Sequence, residues 1–176
     1  MNPSIVVRPL EIDDLNAFLD IQREALERSP ELFGSDYDWF DSLSILYKEQ
    51  RFERYMNFPY AYLLGAILPD GTIAGMAGFS CDYTLSKVKH KSRVWGMYVR
   101  EQYRRQGLAS MLLKSVMENA RDVVGCEQIQ LSVSTRNDAS YALYLRMGFI
   151  VYGTELRAMK IGDAYVDEYL MVKFLR

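Results

Sequence analysis

The sequence predicts an α/β (α+β) fold: a mixed, mostly antiparallel sheet flanked by helices, within one domain spanning residues 1–176. Three observations predict it. Short β-branched and aromatic runs alternate with amphipathic stretches along the chain. Some runs meet at tight turns, which makes hairpins, while others are separated by a helix, which makes crossovers. The composition suits a packed domain, with 49% hydrophobic and 25% charged residues and no repeat, linker or low-complexity tract.

Each element has its own signal. Ile5 to Arg8 is short and β-branched and reads as a first strand. Asp13 or Asp14 can cap a helix running to about Arg28, whose apolar stripe is Leu15, Phe18, Leu19, Ile21 and Ala25; Ser29-Pro30 ends it. Residues 31–58 are less regular and rich in aromatic rings, with a second helix near Trp39 to Arg54. Tyr60 to Leu68 and Thr72 to Tyr83 are strands joined by the turn Pro69-Asp70-Gly71. Ser86 to Ser92 is a basic connection. Val94 to Val99 is a strand and Leu108 to Asn119 a helix, with Leu108, Met111, Leu112, Ser115, Val116 and Asn119 on one face. Ile129 to Ser134 is an alternating strand, and Asp138 to Met147 a short helix closed by Gly148. The last strands, about Tyr152 to Ile161 and Ala164 to Phe174, turn at Gly162-Asp163.

Global numbers narrow the function. The formal charge of −2 gives no reason to expect a nucleic-acid partner. Two cysteines, Cys81 and Cys126, and one histidine, His90, offer no zinc spacing and no disulfide scaffold. The N-terminal stretch lacks a signal-peptide core, and no run approaches the roughly 18 apolar residues of a membrane span. The expectation is a cytoplasmic protein without metal, membrane or nucleic-acid partner.

The most informative stretch is Val94 to Ser110. A strand containing Gly96 leads through an arginine-bearing loop to a glycine that opens a helix. Gly96 suits a bulge, which frees amide N–H groups, or a plain packing position. The leading N–H groups of the helix, around Gln106, Gly107, Leu108, Ala109 and Ser110, lack intrahelical partners and carry the positive end of its dipole. Gly107 admits a phosphate to the backbone, and Arg104 and Arg105 add charge. No Gly-Lys-Ser/Thr ending makes this a P-loop, and no further glycines make it a dinucleotide fingerprint.

Met97-Tyr98-Val99 followed by Tyr103-Arg104-Arg105-Gln106-Gly107-Leu108-Ala109 resembles the acetyl-CoA-binding motif of the GNAT superfamily of N-acetyltransferases. Asn137-Asp138-Ala139-Ser140-Tyr141-Ala142-Leu143-Tyr144 through Gly148-Phe149 resembles the family's second block, at the expected distance downstream. Glu101 stands where proline is frequent and Ser140 where alanine is frequent; neither removes a chemical group. The resemblance covers nearly the whole chain. It implies a central sheet of about seven strands with about four helices, in which the parallel strands 94–99 and 129–134 splay apart. It implies acetyl-CoA as co-substrate, with the pantetheine arm between those strands against the backbone of Met97, Tyr98 and Val99. The pyrophosphate would lie on residues 104–110, and Asn137 and Ser140 would stand beside the arm. Asn137 is equally suited to cap the helix it precedes.

The same resemblance makes Tyr144 a catalytic acid for the thiolate leaving group, although Tyr144 also suits a core position. No carboxylate stands on the strand at Arg93-Val94-Trp95, so the general base is open among Asp82, Glu155, Asp167 and Glu168, with His90 a further candidate. The aromatic segment 31–58 is expected to line the acceptor side, and Asp36, Asp38 and Asp41 hint at a cationic amine. The implied reaction is direct acetyl transfer from acetyl-CoA to a primary amine of a small molecule, protein or peptide. A longer acyl-CoA, or a non-catalytic coenzyme A-binding sensor or interaction module, remains an alternative, and a homodimer is compatible with the aromatic C-terminal strands.

Overall fold

The computed structural model describes residues 5–176. Residues 1–4, read above for a targeting signal, lie outside that range. Among the described residues eight strands form one sheet: β1 (Val6–Pro9), β2 (Met56–Asn57), β3 (Ala61–Ile67), β4 (Ile73–Cys81), β5 (Lys91–Val99), β6 (Gln128–Ser134), β7 (Ile150–Ile161) and β8 (Ala164–Phe174). Their order is β1-β3-β4-β5-β6-β8-β7, with β2 beside β3. Among the described residues only β5 and β6 pair in parallel. Five α-helices accompany them among the described residues: α1 (Leu15–Arg28), α2 (Tyr37–Ser42), α3 (Ile45–Glu53), α4 (Leu108–Glu118) and α5 (Asp138–Arg146).

Both sheet faces are covered, which is why β3 and β4 read as nearly continuous apolar runs. Successive β3 side chains serve opposite faces. Tyr62, Leu64 and Ala66 join the core under α4 and α5, built with Leu108, Leu112, Leu113, Val116 and Tyr144. Leu63 and Ile67 join the core under α1 and α3, with Ile21, Ala25, Phe52, Met76 and Tyr98. Among the described residues no helix is long and apolar enough to cross a membrane.

The differences from the expected elements have local causes. The helix expected over Trp39 to Arg54 is two helices, because the Ser44 hydroxyl accepts the Tyr47 N–H and restarts the backbone after Leu43. Asp14 stands at the N-cap position of α1 but gives that helix no side-chain hydrogen bond. A one-turn 3-10 helix (Ile12–Asp14) comes first, and the Asp14 carboxylate accepts the Glu11 N–H at 2.7 Å while pairing with Arg8. That pairing holds the Asp14 carboxyl below its usual range. On α4 the buried stripe is Leu108, Leu112, Leu113, Val116 and Met117, and Met111 faces solvent. The strand expected from Val94 begins at Lys91, inside the segment expected to be a basic connection.

The two features that position a site both lie on β5. The β5–β6 ladder holds only from Lys91 to Arg93, paired with Gln128 to Gln130. Beyond that the strands diverge. Opposite β4, Gly96 and Met97 together face the single residue Ala77, because the register shifts between Met76/Tyr98 and Gly78/Trp95. This is a bulge, and Gly96 takes the left-handed φ of +61° it requires.

Candidate active site

Two clefts flank the diverging strands. The smaller, about 530 Å³, lies against the β5 end, the α4 N-terminus and α5. The larger, about 610 Å³, lies on the other side, between α1–α3 and the sheet. They approach one another along β5 at consecutive residues: Gly96 lines the larger and Met97 the smaller.

The floor of the smaller cleft is the turn into α4. Gly107 is the N-cap, with φ +83°, and Arg105 before it is also left-handed at φ +59°. Such residues turn successive N–H groups toward one side and form an anion-binding concavity. The N–H groups of residues 105–110 meet no protein acceptor among the described residues. An N-cap serine or aspartate would fill part of this need with its own oxygen; glycine leaves it to an outside acceptor. A Cβ built on Gly107 would meet nothing within 4 Å, so the approach is open.

Of the residues singled out from sequence, Met97, Tyr98, Val99, Arg104, Arg105, Gly107, Leu108, Ala109, Ser110, Asn137, Ser140 and Tyr144 all line this cleft. Gln106 does not; its side-chain amide donates to the Gln102 carbonyl at 3.1 Å. Arg104 is partly committed, since its Nε donates to the Val99 carbonyl at 2.9 Å and its guanidinium lies 5.6 Å from the Tyr98 ring centroid. That bond occupies the Val99 carbonyl. Asn137 caps α5 by accepting the Ser140 N–H, while its amide nitrogen has no acceptor among the described residues. Arg136 and Arg146, not singled out beforehand, also line the cleft. Their only sequence signal was their place beside the Asn137 block.

Tyr144 is buried, and its hydroxyl lies 3.6 Å from the Met97 Sδ. Burial pushes its pKa up to about 12, so the phenol holds its proton across the neutral range.

The larger cleft is lined by aromatic residues including Phe33, Trp39, Phe52, Tyr55 and Trp95. Of the rings in 31–58, Phe33, Trp39, Phe40, Phe52 and Tyr55 line this cleft. Asp36, Asp38 and Asp41 are not among the lining residues. Asp36 caps α2 by accepting the Trp39 N–H, and Asp41 pairs with Arg23. Among the candidate bases, Glu155 and Glu168 line the larger cleft, whereas Asp82, Asp167 and His90 line neither. Asp82 accepts from Thr84, and Asp167 accepts the Arg157 N–H. No group of three or more histidine, cysteine or acidic side chains is placed to hold a metal ion among the described residues.

The family model for the acetyltransferase (GNAT) family matches residues 17–149. The chain belongs to the GNAT family of acetyltransferases. The N-alpha-acetyltransferase RimI of Mycobacterium tuberculosis is 30% identical over 152 residues, covering 86% of this chain and 85% of its own. An acetyltransferase of the GNAT family from Streptococcus pneumoniae superposes with a TM-score of 0.82 at 27% identity, over 97% of this chain and 99% of its own. YncA of Salmonella typhimurium, solved with its cofactor acetyl-CoA, shares the fold with a TM-score of 0.81 at 18% identity, over 98% of this chain and 95% of its own. This GNAT chain is therefore an N-acetyltransferase by kinship, with its diverging strands and its glycine-opened helix in one cleft.

Proposed function

We propose that this protein moves an acetyl group from acetyl-CoA to a primary amine by direct attack within a ternary complex. The observation that carries the reading is the run of amide N–H groups from Arg105 to Ser110, without partners among the described residues, opening into a cleft that approaches a second cleft at Gly96–Met97. The co-substrate fits these residues. The amides of 105–110 with Arg104 and Arg105 would hold the diphosphate, aided by Arg136 and Arg146. Met97, Tyr98 and the free amide of Asn137 would hold the pantetheine arm, with Ser140 alongside.

Acetyl-CoA supplies a thioester, whose carbonyl gains negative charge as an amine attacks. The bulge at Gly96–Met97 leaves a backbone N–H near Met97 or Tyr98 to hold that charge. Losing such a donor costs about 3–4 kcal/mol of transition-state stabilisation, or about 100- to 1,000-fold in rate. Tyr144, protonated at neutral pH, gives its proton to the departing sulfur. The amine arrives through the larger cleft, where Glu155 or Glu168 can accept its proton directly or through water. Met97 and Tyr144, whose Sδ and hydroxyl lie 3.6 Å apart, would border the acyl group. The same reading takes the chain as one transferase domain of the cytoplasm, where the free thiols of Cys81 and Cys126 persist.

Calorimetry with coenzyme A tests the reading. Wild-type protein is expected to bind saturably. Gly107→Asp should weaken binding at least tenfold through a carboxylate placed over the amides, and Gly107→Asn, which tolerates φ > 0 without charge, should weaken it less. Absence of coenzyme A binding by folded wild-type protein would remove the proposal.

A further inference from the structure

The larger cleft carries charges that the protein does not neutralise. Lys48 on α3 lines it and is only 9% exposed. Its ammonium has one long hydrogen bond, to the Asp41 carbonyl at 3.4 Å, and lies 4.8 Å from the Phe40 ring centroid. No carboxylate lies within ion-pair distance among the described residues. An ammonium has three donors, and a buried charge is costly unless it is paired. Arg51, one turn further along α3, also lines the cleft; its guanidinium lies over the Trp39 and Tyr47 rings and has no acidic partner among the described residues. Arg93 on β5 completes a set of three cations without an acidic partner among the described residues.

Glu155 and Glu168 line the same cleft and pair with none of these cations. They are register partners across the β7–β8 ladder, where like charges oppose one another unfavourably. The register also separates the two poles. Arg93 lies beside Gln130 in β6, while Glu168 lies beside Ser134, four residues further toward the diverging end. Glu168 therefore lies beyond the last β5–β6 pair, on the side where the strands diverge. Arg93 lies behind it, within the paired stretch, and Lys48 and Arg51 line the cleft from α3.

Resting on the acetyltransferase reading, we propose that the acceptor is itself an acid: a small zwitterion of amino-acid type. Its amino group seats toward Glu155 and Glu168, and its carboxylate, or an equivalent anionic group, seats against Lys48, Arg51 and Arg93. A polyamine would bring positive charge against the three cations. A peptide N-terminus without a nearby acid would leave them unmatched. The attacking form of an amino acid, with a neutral amine and a carboxylate, has net charge −1, which complements three cations set against two carboxylates. A site built for a polar group strongly rejects the analogue that lacks it.

Thiol release from saturating acetyl-CoA tests this with L-amino acids, their carboxamides and methyl esters, spermidine, and a tripeptide amide. Free acids are expected to exceed their own carboxamides at least tenfold in kcat/KM, chiefly through KM. Lys48→Met and Arg51→Met should collapse that ratio toward one, and Lys48→Arg should restore most of it. Coenzyme A titration of each variant verifies that it is folded. Carboxamides, esters or spermidine turning over as well as the free acids would overturn the zwitterion, as would variants that depress acid and carboxamide equally. Absence of thiol release with every amine would instead remove the transferase reading itself.

Discussion

Tyr144 shows what one residue adds to a motif. Its place in the Asn137 block suggested a proton donor, and a core position was equally open. The structure shows the core position: the ring is buried against Phe149, its hydroxyl reaches Met97, and burial raises its pKa to about 12, while the proton-donor role is the proposal. Tyr144→Phe should lower kcat about 10- to 100-fold while coenzyme A affinity stays within about twofold. Unaltered kcat would remove Tyr144 from the acid role. A pH titration gives a second check. The unfolded phenol ionises near pH 10 and the folded one near 12, so burial contributes stability that is complete below pH 10 and lost as pH rises toward 12. The two-unit gap corresponds to about 3 kcal/mol. Tyr144→Phe should therefore flatten the alkaline fall in stability, measured by urea melts at pH 9 and 11.5. The environment of a side chain is made by distant strands, so a motif can name Tyr144 without disclosing its pKa.

At the scale of elements, most of the fold was legible where periodicity and turn chemistry agreed. The β7–β8 hairpin turns at Gly162-Asp163, with Ile161 opposite Ala164, as its two-residue turn required. Gly148 closes α5 with φ +87°. The break between α2 and α3 was missed because apolar residues on both sides of Leu43-Ser44 keep helical spacing, and the deciding signal was one serine oxygen. Arg100 was missed as well. It is buried, donates to the Ile73 carbonyl at 2.8 Å, and binds Glu24 and Asp20 of α1; Glu24 in turn accepts from the Tyr98 hydroxyl. This network ties α1, a wall of the larger cleft, to the end of β5. Arg100→Ala should cost about 2–4 kcal/mol in a urea melt, because Glu24 keeps a largely buried charge without its partner. Asp20→Asn should cost under about 1 kcal/mol, since Asp20 is mostly exposed. Equal losses would show that burial of the partner does not decide the energy.

The whole molecule joins what the sequence separates. Glu155 and Glu168 were two candidates among several for the base, and nothing local distinguished them from Asp82 or Asp167. The strand order, with β8 inserted between β6 and β7, brings that pair to the floor of the larger cleft and leaves the others outside it. The same architecture bears on the order of events. The two clefts approach one another at Gly96–Met97, so on the proposed reading an amine and a thioester would be held together without an intermediate carrier. A carrier would need a nucleophile at that junction, and neither cysteine provides one. Cys126 is fully buried, and Cys81 lines neither cleft; burial, with the neighbouring Cys126 thiol adding to it, pushes the Cys81 thiol up to about 11. At pH 7–8 that leaves very little Cys81 thiolate. Initial rates measured against both substrates should therefore give intersecting double-reciprocal lines, and Cys81→Ala should retain turnover. Parallel lines, together with burst release of one equivalent of coenzyme A before the amine is added, would establish a covalent acyl-enzyme and contradict direct attack.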